Sequence, residues 1–573
     1  MRKTKTLIVV FYILLSCEIY SQNFYSTDSI SKERVEGSGE RFLVNNLILS
    51  HRNSSDIEEA VLGALIYLKN KQVGNKRYKV NYNDFKTVKI PKYNFIGALR
   101  SFVSNHLVKD KHRENLWPSF VIFQPNKKYN VFQPTLITPD YNLFTTASTA
   151  YPLFFINDKQ LASHSQFVTK MRTKAVESFQ KFRRGSSFNF WPVKNRVEYS
   201  YSYSGPDNIP LSFISFLYKL NNKTGLVNYG MHESELLIEW LDEINDDEKN
   251  KDGLVALFNI PNDSDDTSMA LVLSLLSEMN DLTNMAIIDS VDKQVFSTYR
   301  DIERNKFDRY NELLPKNTGA FLTWHKNDSS EDFSKPEKGI IPLKVNNIDL
   351  SVNANTLHFL SRAGLSDLPG FRETALLLAD AIKSNKWYNA SLYYPERLWF
   401  PYTLSRAIRD GRLNVPEINE TLPCFISSII ELQQNFELQN SSLKGAFPAF
   451  NSVSYNLSTA LGLNTLLNLG RENACKAGKQ DVFDSVVNNS IRFLLMSQKK
   501  SAKPDKTFGV KETFWLSGPL FSSSIQDMAH WYSNSQNTGL VLEALTKYLL
   551  GYDMINNPEK INIRFVNNRL TIK

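Results

Sequence analysis

Only three cysteines, Cys17, Cys424 and Cys475, occur in 573 residues. Their spacing fits no zinc pattern, and a chain this long buries enough core to do without disulfides. Cys424 and Cys475 are expected as two buried free thiols, with one bridge between them as the alternative. Long apolar runs are also missing, since no internal stretch reaches the roughly 18 residues that a membrane span requires. The formal net charge is +8; residues 1–22 carry +2 of it through Arg2, Lys3, Lys5 and Glu18, and the rest forms no basic block. Nucleic-acid binding is therefore not expected. There is no G-x-S-x-G elbow, Walker loop, dinucleotide-binding glycine fingerprint or H-E-x-x-H pair, which weakens any case for serine hydrolysis, nucleotide hydrolysis or zinc chemistry. The motifs call for no cofactor and no resident metal. Strand-like alternation is scarce, apart from short pieces such as VFQPTLI (131–137) and INIRFV (561–566).

What is present begins at the N-terminus. MRKTK, then LIVVFYILLS, then CEIYSQ form the basic, apolar and polar regions of a secretory signal peptide over residues 1–22. Leu14-Leu15-Ser16-Cys17 also resembles a bacterial lipobox, which would leave a lipidated Cys17 attaching the chain to a membrane; cleavage near Ser21 or Gln22 is the other outcome. Either way the protein is expected to be exported: periplasmic, extracellular or membrane-anchored. A linker (23–54), a helical domain (55–552) and a short C-terminal extension (553–573) follow.

Helical periodicity dominates that domain. EAVLGALIYLKN (59–70), TSMALVLSLLSEM (267–279), RETALLLADAIKS (372–384) and GLVLEALTKYLL (539–550) space apolar residues at three and four. A weak repeat overlies them: an aromatic, often with Pro, precedes a polar loop that ends in a small or acidic residue opening an apolar helix. NLWPSF (115–120), NFWPVKN (189–195), GAFLTWH (319–325), GAFPAF (445–450) and FWLSGP (514–519) each introduce such a unit. Helical hairpins that bury one another's apolar faces imply a solenoid or a closed ring. The expectation is an all-α fold of six or seven helical hairpins closing into an α/α toroid, with minor short strands. The loops entering the inner helices would then converge at one end.

One entrance differs from the rest. PNDSDDTSMAL (261–271) carries Asp263, Asp265 and Asp266, where the corresponding places elsewhere hold Asp140, Asp207 and Asp349 singly. One aspartate suffices to cap a helix; three crowded carboxyls cannot all ionise cheaply, so at least one keeps its proton near neutral pH. Helix capping with a favourable dipole interaction is the competing account, and a hard-oxygen Mg²⁺ or Ca²⁺ site is a lesser one.

The repeated units, over roughly residues 55–550, resemble the prenyltransferase and squalene-cyclase type of α/α toroid. Within them DSDDTSMAL (263–271) resembles the D-x-D-D-T-A signature of class II terpene cyclases, with Ser268 where alanine is usual. The Q-x5-W repeat of that family is not found. The resemblance implies a protonation-initiated cyclisation of an isoprenoid, with Asp265 as the general acid and Asp263 and Asp266 tuning its proton.

Other residues are candidates for substrate contact, each with a structural alternative. His325 and His358 are candidate partners of the acid. Asp349 caps or faces the ligand, as do Asn353 and Asn355 after it. Glu396, beside Arg397, Tyr394 and Trp399, forms either a rim ion pair or a second carboxyl across from Asp265, as a glycosidase requires. His530 and Trp531 are further cavity candidates. Trp117, Trp191, Trp324 and Trp515 recur at one place in their units, for packing or for stacking a sugar or isoprenoid. Export suits a carbohydrate-active toroid, a polysaccharide hydrolase or lyase, better than an isoprenoid cyclase. A non-catalytic envelope scaffold binding a partner or glycan is the third reading. Oligomeric state is not encoded in any motif.

Overall fold

The computed structural model describes residues 54–74, 113–123, 136–157, 166–195, 202–205, 259–278, 294–302, 314–326, 346–450, 454–522, 529–551, 563–566 and 569–572. Residues 1–22 with Cys17, where a signal peptide is expected, residues 23–53 and Asp207 lie outside them. Helix dominates the described residues and strands are short. The principal helices are α1 (Ser54–Lys71), α2 (Leu143–Ala150), α3 (Phe167–Ser178), α4 (Ser264–Glu278), α5 (Leu350–Arg362), α6 (Phe371–Lys383), α7 (Trp399–Arg409), α8 (Leu422–Gln439), α9 (Tyr455–Lys476), α10 (Gln480–Ser497) and α11 (Asn534–Leu549).

Their packing is cyclic. Helix α2 packs on α4, α4 on α5, α5 on α7, α7 on α9, α9 on α11, and α11 returns to α2. The other helices back this set: α1 lies on α11, α3 on α2 and α4, α6 on α5, and both α8 and α10 on α9. Sequence distinguishes the two sets. In α6, Arg372, Leu376, Asp380 and Lys383 are exposed while Phe371, Ala375, Leu378 and Ile382 are buried, the stripe of a helix with one wet face. In α5 every residue from Leu350 to Leu360 is buried, and in α11 every residue from Ser535 to Leu549. Such helices need side chains that tolerate burial all round. Small hydroxyl residues provide them by donating to the carbonyl four residues back, as Thr149, Ser268, Ser274, Thr356, Thr403 and Thr465 do.

A four-stranded antiparallel sheet joins the two ends of the cycle. Its order is Phe521–Ser522, Ala529–Tyr532, Ser119–Phe123, Leu136–Asp140, so strands leading into α2 and α11 are hydrogen-bonded to one another. Ser533 Oγ adds a bond to the Pro118 carbonyl at 2.7 Å. Only the tail of VFQPTLI enters this sheet as a described strand, from Leu136. NLWPSF and HWYSN, which the sequence presents as loop entries, contribute two of its strands. The C-terminal extension forms Ile563–Val566 and Arg569–Ile572, and the first of these pairs in parallel with Ile156–Asn157.

Close approach explains one glycine. A Cβ at Gly63 in α1 would lie 2.7 Å from the backbone oxygen of Lys511, in the strand that crosses this helix. The cysteines correct an expectation: Cys424 and Cys475 are free but exposed, on α8 and α9. Each sits on the side of its helix turned away from the buried stripe, so neither enters the core.

Candidate functional site

The six helices of the cycle run in the same direction. Contacts between their starts join one end (Asp140 with Trp531, Asp265 with Tyr394, Glu396 with Ser458), and contacts between their last turns join the other (Tyr151 with Asp410, Lys547 with Asp410). The N-terminal end thus gathers six sets of backbone N–H groups that have no acceptor within their own helix, and the positive ends of six helix dipoles, which favour acidic side chains.

Each acid there braces the entrance of another unit. Asp140 accepts both indole N–H groups of Trp191 (3.0 Å) and Trp531 (2.8 Å), as well as Asn142 Nδ2. Asp349 accepts the backbone N–H groups of Ser351 and Val352, capping α5, and those of Leu392 and Tyr393 from the next entrance. Burial pushes its carboxyl up to about 7 against these donors. Glu396 is buried rather than on a rim. It accepts the Phe450 N–H on both oxygens and the Ser458 hydroxyl, and burial raises it to about 7. Arg397 stacks 4.1 Å over the Tyr388 ring, so the expected rim ion pair gives way to a braced carboxyl and a stacked cation. The recurrent tryptophans tie units together in the same way: Trp117 Nε1 donates to the Leu68 carbonyl, Trp515 Nε1 to the Leu494 carbonyl, and Trp324 Nε1 to the Tyr393 hydroxyl.

The start of α4 is different in kind. Asp263 caps it conventionally, its Oδ1 accepting the Asp266 N–H at 2.7 Å. The Asp263 and Asp266 carboxyls are also hydrogen-bonded to each other, a bond that lowers Asp263 and raises Asp266. Burial nevertheless carries Asp263 up to about 7. Asp266 lies well above the usual carboxylate range, through burial first and then the charges of Asp263 and Asp265. The pair therefore holds a proton at neutral pH, with Asp266 as its main carrier. Asp266 Oδ1 is buried and has no hydrogen-bond partner.

Asp265 is raised by burial but held down by its surroundings, first by the Tyr394 hydroxyl, then by Asn355 and the charge of Arg406. Tyr394 Oη donates to Asp265 Oδ2, and Asn355 Nδ2 donates to Oδ1 at 2.6 Å. Both oxygens thus face donors, an arrangement that favours the ionised form. Tyr394, packed between Phe144 and Trp399, is itself pushed well up by burial and by Asp265, so it stays a phenol. Three neighbouring carboxyls thus differ: a pair that holds a proton, and Asp265, whose partners oppose the upward pull of burial.

The remaining predicted site residues fall into four places. Tyr394 and Trp399 join the Asp265 cluster. His325 braces the residue beside it: Nε2 faces Ser264 Oγ at 3.1 Å and Nδ1 faces Ser187 Oγ at 3.2 Å. Ser264 Oγ also lies 2.7 Å from the Leu322 carbonyl as its donor, so the imidazole Nε2 is assigned the proton and Nδ1 accepts from Ser187. Burial lowers its pKa to about 3, which keeps it neutral. His325 thus positions the α4 start instead of supporting the Asp265 proton. His358 lies at the other end, edge-on to Tyr151 at 6.0 Å, and burial together with Arg406 holds it well below the usual range. The period of α5 accounts for this, because His358 is one turn nearer the helix end than Asn355. His530, lowered to about 4 by burial, lies 6.0 Å from the half-exposed Phe450 ring, and Trp531 stacks on Phe521 at 5.2 Å.

Beyond Asp265 runs a buried polar network that sequence reasoning missed. Arg406 Nη2 donates to Asn355 Oδ1 at 2.5 Å and Nη1 to Tyr402 Oη at 3.1 Å; Tyr402 in turn donates to Glu543 at 2.7 Å. Lys547, fully buried, bonds Glu543, Asp410 and Asn468, and Asp410 also accepts the Tyr151 hydroxyl at 2.6 Å. The i,i+4 pair Glu543–Lys547 inside the apolar run of α11 was the available signal. Among the described residues no group of three or more His, Cys, Asp or Glu side chains is arranged to hold a metal ion, and no helix is long and apolar enough to cross a membrane.

Fold and site together describe a mostly helical protein with minor strands and a buried carboxyl cluster where its helix starts converge. No family model and no curated protein matches the chain. Among solved structures, a protein from Actinoplanes matches at 12% identity, covering 79% of this chain and 99% of that one, with a TM-score of 0.38. A metagenome-derived glycoside hydrolase family 9 endoglucanase matches at 11% identity, covering 86% and 80% respectively, with a TM-score of 0.37. At those values neither structure assigns an activity to this chain.

Proposed function

We propose that the helix cycle is the inner ring of an α/α toroid and that the protein is an exported carbohydrate-active enzyme whose reactive centre is the α4 start. The observation that carries this reading is the division of labour among three adjacent carboxyls. The Asp263–Asp266 pair retains a proton, while Tyr394 and Asn355 each donate to Asp265 and favour its ionised form. Cleavage of a glycosidic bond needs one carboxyl to protonate the leaving oxygen and another to act as base, nucleophile or charge stabiliser. Asp266, with Asp263, would supply the proton and Asp265 the negative charge. The ring faces of Phe190, Tyr393 and Phe450, partly or half exposed near the helix starts, suit stacking against sugars. Residues 1–22, as a signal peptide, would bring the enzyme to extracellular polysaccharide.

Isoprenoid cyclisation fits less well. It asks Asp265 to be the acid and asks for an apolar interior that shields carbocations, whereas Asp265 takes two donors and is followed by Asn355, Arg406, Tyr402, Glu543 and Lys547. The Asp265 role expected from the class II cyclase resemblance is therefore reassigned from acid to carboxylate.

The test is release of reducing ends, or of unsaturated ends if the reaction is elimination, from a panel of neutral and acidic polysaccharides. Asp265→Asn and Asp266→Asn are each expected to lower turnover by about 10²–10⁴-fold. Full activity in both variants would sink the assignment. Cyclised product from a polyprenyl substrate, lost in Asp265→Asn, would return the reading to the cyclase.

A further inference from the structure

Arg406 is a buried cation with an unusual set of neighbours. It is 2% exposed, lies 4.8 Å from the Tyr151 ring and 4.9 Å from the Tyr402 ring, and has no carboxylate oxygen within ion-pair distance among the described residues. A guanidinium does not lose its charge in a protein, and a buried charge without compensation is costly. Compensation here arrives one neutral side chain removed, on both sides. Towards the C-terminal end, Tyr402 Oη accepts from Arg406 and donates to Glu543. Towards the site, Asn355 Oδ1 accepts from Arg406 and Asn355 Nδ2 donates to Asp265.

The amide can face only one way. Turning it over would set its NH₂ against the guanidinium and its carbonyl against the Asp265 carboxylate, opposing donor to donor and acceptor to acceptor. We propose that Arg406, acting through the Asn355 amide, is the positioning residue that fixes Asp265 in orientation and stabilises its negative charge. For its catalytic consequence the inference rests on the role proposed for Asp265; the electrostatic link itself does not. The groups facing Asp265 are Asp263, Asp266, Asp349, Tyr394 and Asn355; those facing Arg406 are Tyr151, Tyr402, His358, Asp410 and Glu543. Of the groups around Asp265, the ones that favour its charge are Tyr394, Asn355 and Arg406.

Thermal midpoints of the full chain at pH 5 and pH 8 test the link without any substrate. Removing the cation lets Asp265 hold its proton to higher pH, so ionising it at pH 8 costs more. Arg406→Met is expected to lower the midpoint more at pH 8 than at pH 5, and this excess is expected to shrink by roughly half or more in Arg406→Met/Asp265→Asn. Asn355→Ser, which leaves the Tyr402–Glu543 side intact, serves if Arg406→Met does not fold. It is expected to show the same pH excess and to lose it in the Asp265→Asn background. Additive effects at both pH values would overturn the proposal. On an active substrate, Asn355→Ser is expected to move the acidic limb of the kcat/KM profile upward, and a lower kcat on an unmoved limb would overturn it as well. Inactivity on every polysaccharide would sink the proposed function and leave the stability cycle to decide this link alone.

Discussion

Asn355 donates to Asp265 across 90 residues of sequence, at 2.6 Å, from the middle of one fully buried helix to the first turn of the next. The bond exists because α4 and α5 run side by side with the first turn of α4 beside the second turn of α5, and it leaves each side chain fully partnered, Asp265 with Tyr394 and Asn355 with Arg406. It also joins the carboxyl cluster at the helix starts to the charged network farther along the helices. Several measurable consequences follow from this organisation.

Stability should fall as pH rises from about 4 to about 8, most steeply above about 6.5, because below that value the buried histidines His325, His358 and His530 gain stability with rising pH and oppose the carboxyls. Asp263 and Asp349 move from 3.8 to about 7 and Glu396 from 4.5 to about 7, each because burial disfavours its charge. A carboxyl whose folded value is raised binds more protons folded than unfolded. Its stabilisation is therefore full below the unfolded value and is lost as pH rises through the folded one. Calorimetric midpoints across this range are expected to decline, and Asp266→Asn is expected to flatten the decline because it removes a carboxyl that keeps its proton in the folded state across this window. A midpoint that rises over the same window would contradict the burial account.

Lys547→Met should be among the most destabilising single changes. It leaves Glu543 and Asp410 buried without their shared cation, a loss of about 3–5 kcal/mol by the usual cost of breaking a buried pair. Urea denaturation of Lys547→Met and of Lys547→Met/Glu543→Leu compares the two, and the double variant is expected to recover part of the loss.

Gly63→Ala should destabilise despite alanine's better helix propensity. Its Cβ would meet the Lys511 backbone oxygen, which cannot rotate away, and relief requires α1 to lift from the strand Lys511–Phe514. Overpacking of this kind costs about 1–3 kcal/mol, readable as a lower denaturation midpoint. A gain in stability would mean that the helix and strand separate without cost.

Thiol titration should find Cys424 and Cys475 reactive in the native protein, since both are exposed and unbridged. Cys424→Ser and Cys475→Ser are each expected to remove one native equivalent. Reactivity appearing only after denaturation would restore the buried-thiol expectation.

Much of the helical layer was legible because amphipathic helices carry their own pattern. RETALLLADAIKS appears as α6 almost to the residue, and GLVLEALTKYLL lies within α11. The helices buried on all sides were harder to recognise as such, since LSVNANTLHFL and LFTTASTA show polar residues at positions that tertiary structure buries and satisfies locally. The sheet was missed for a related reason. Strands such as Ser119–Phe123 are only five residues long and gain their partners from the far end of the chain, at Ala529–Tyr532. At the site, the cluster at Asp263, Asp265 and Asp266 stood out by local asymmetry, whereas Arg406 did not, because one arginine in an amphipathic-looking helix resembles any surface residue.

The sequence by itself determined that the chain is helical and repetitive, and that one helix entrance carries three aspartates where others carry one. Local patterns decide those features, through period and capping chemistry. Only tertiary structure decided which helices became buried on all sides and which histidine stood near the site. It also decided which aspartate acquired partners that favour its charge. Those outcomes depend on neighbours supplied from distant units, and burial, the largest influence on every carboxyl discussed, is a property that no local stretch of sequence possesses.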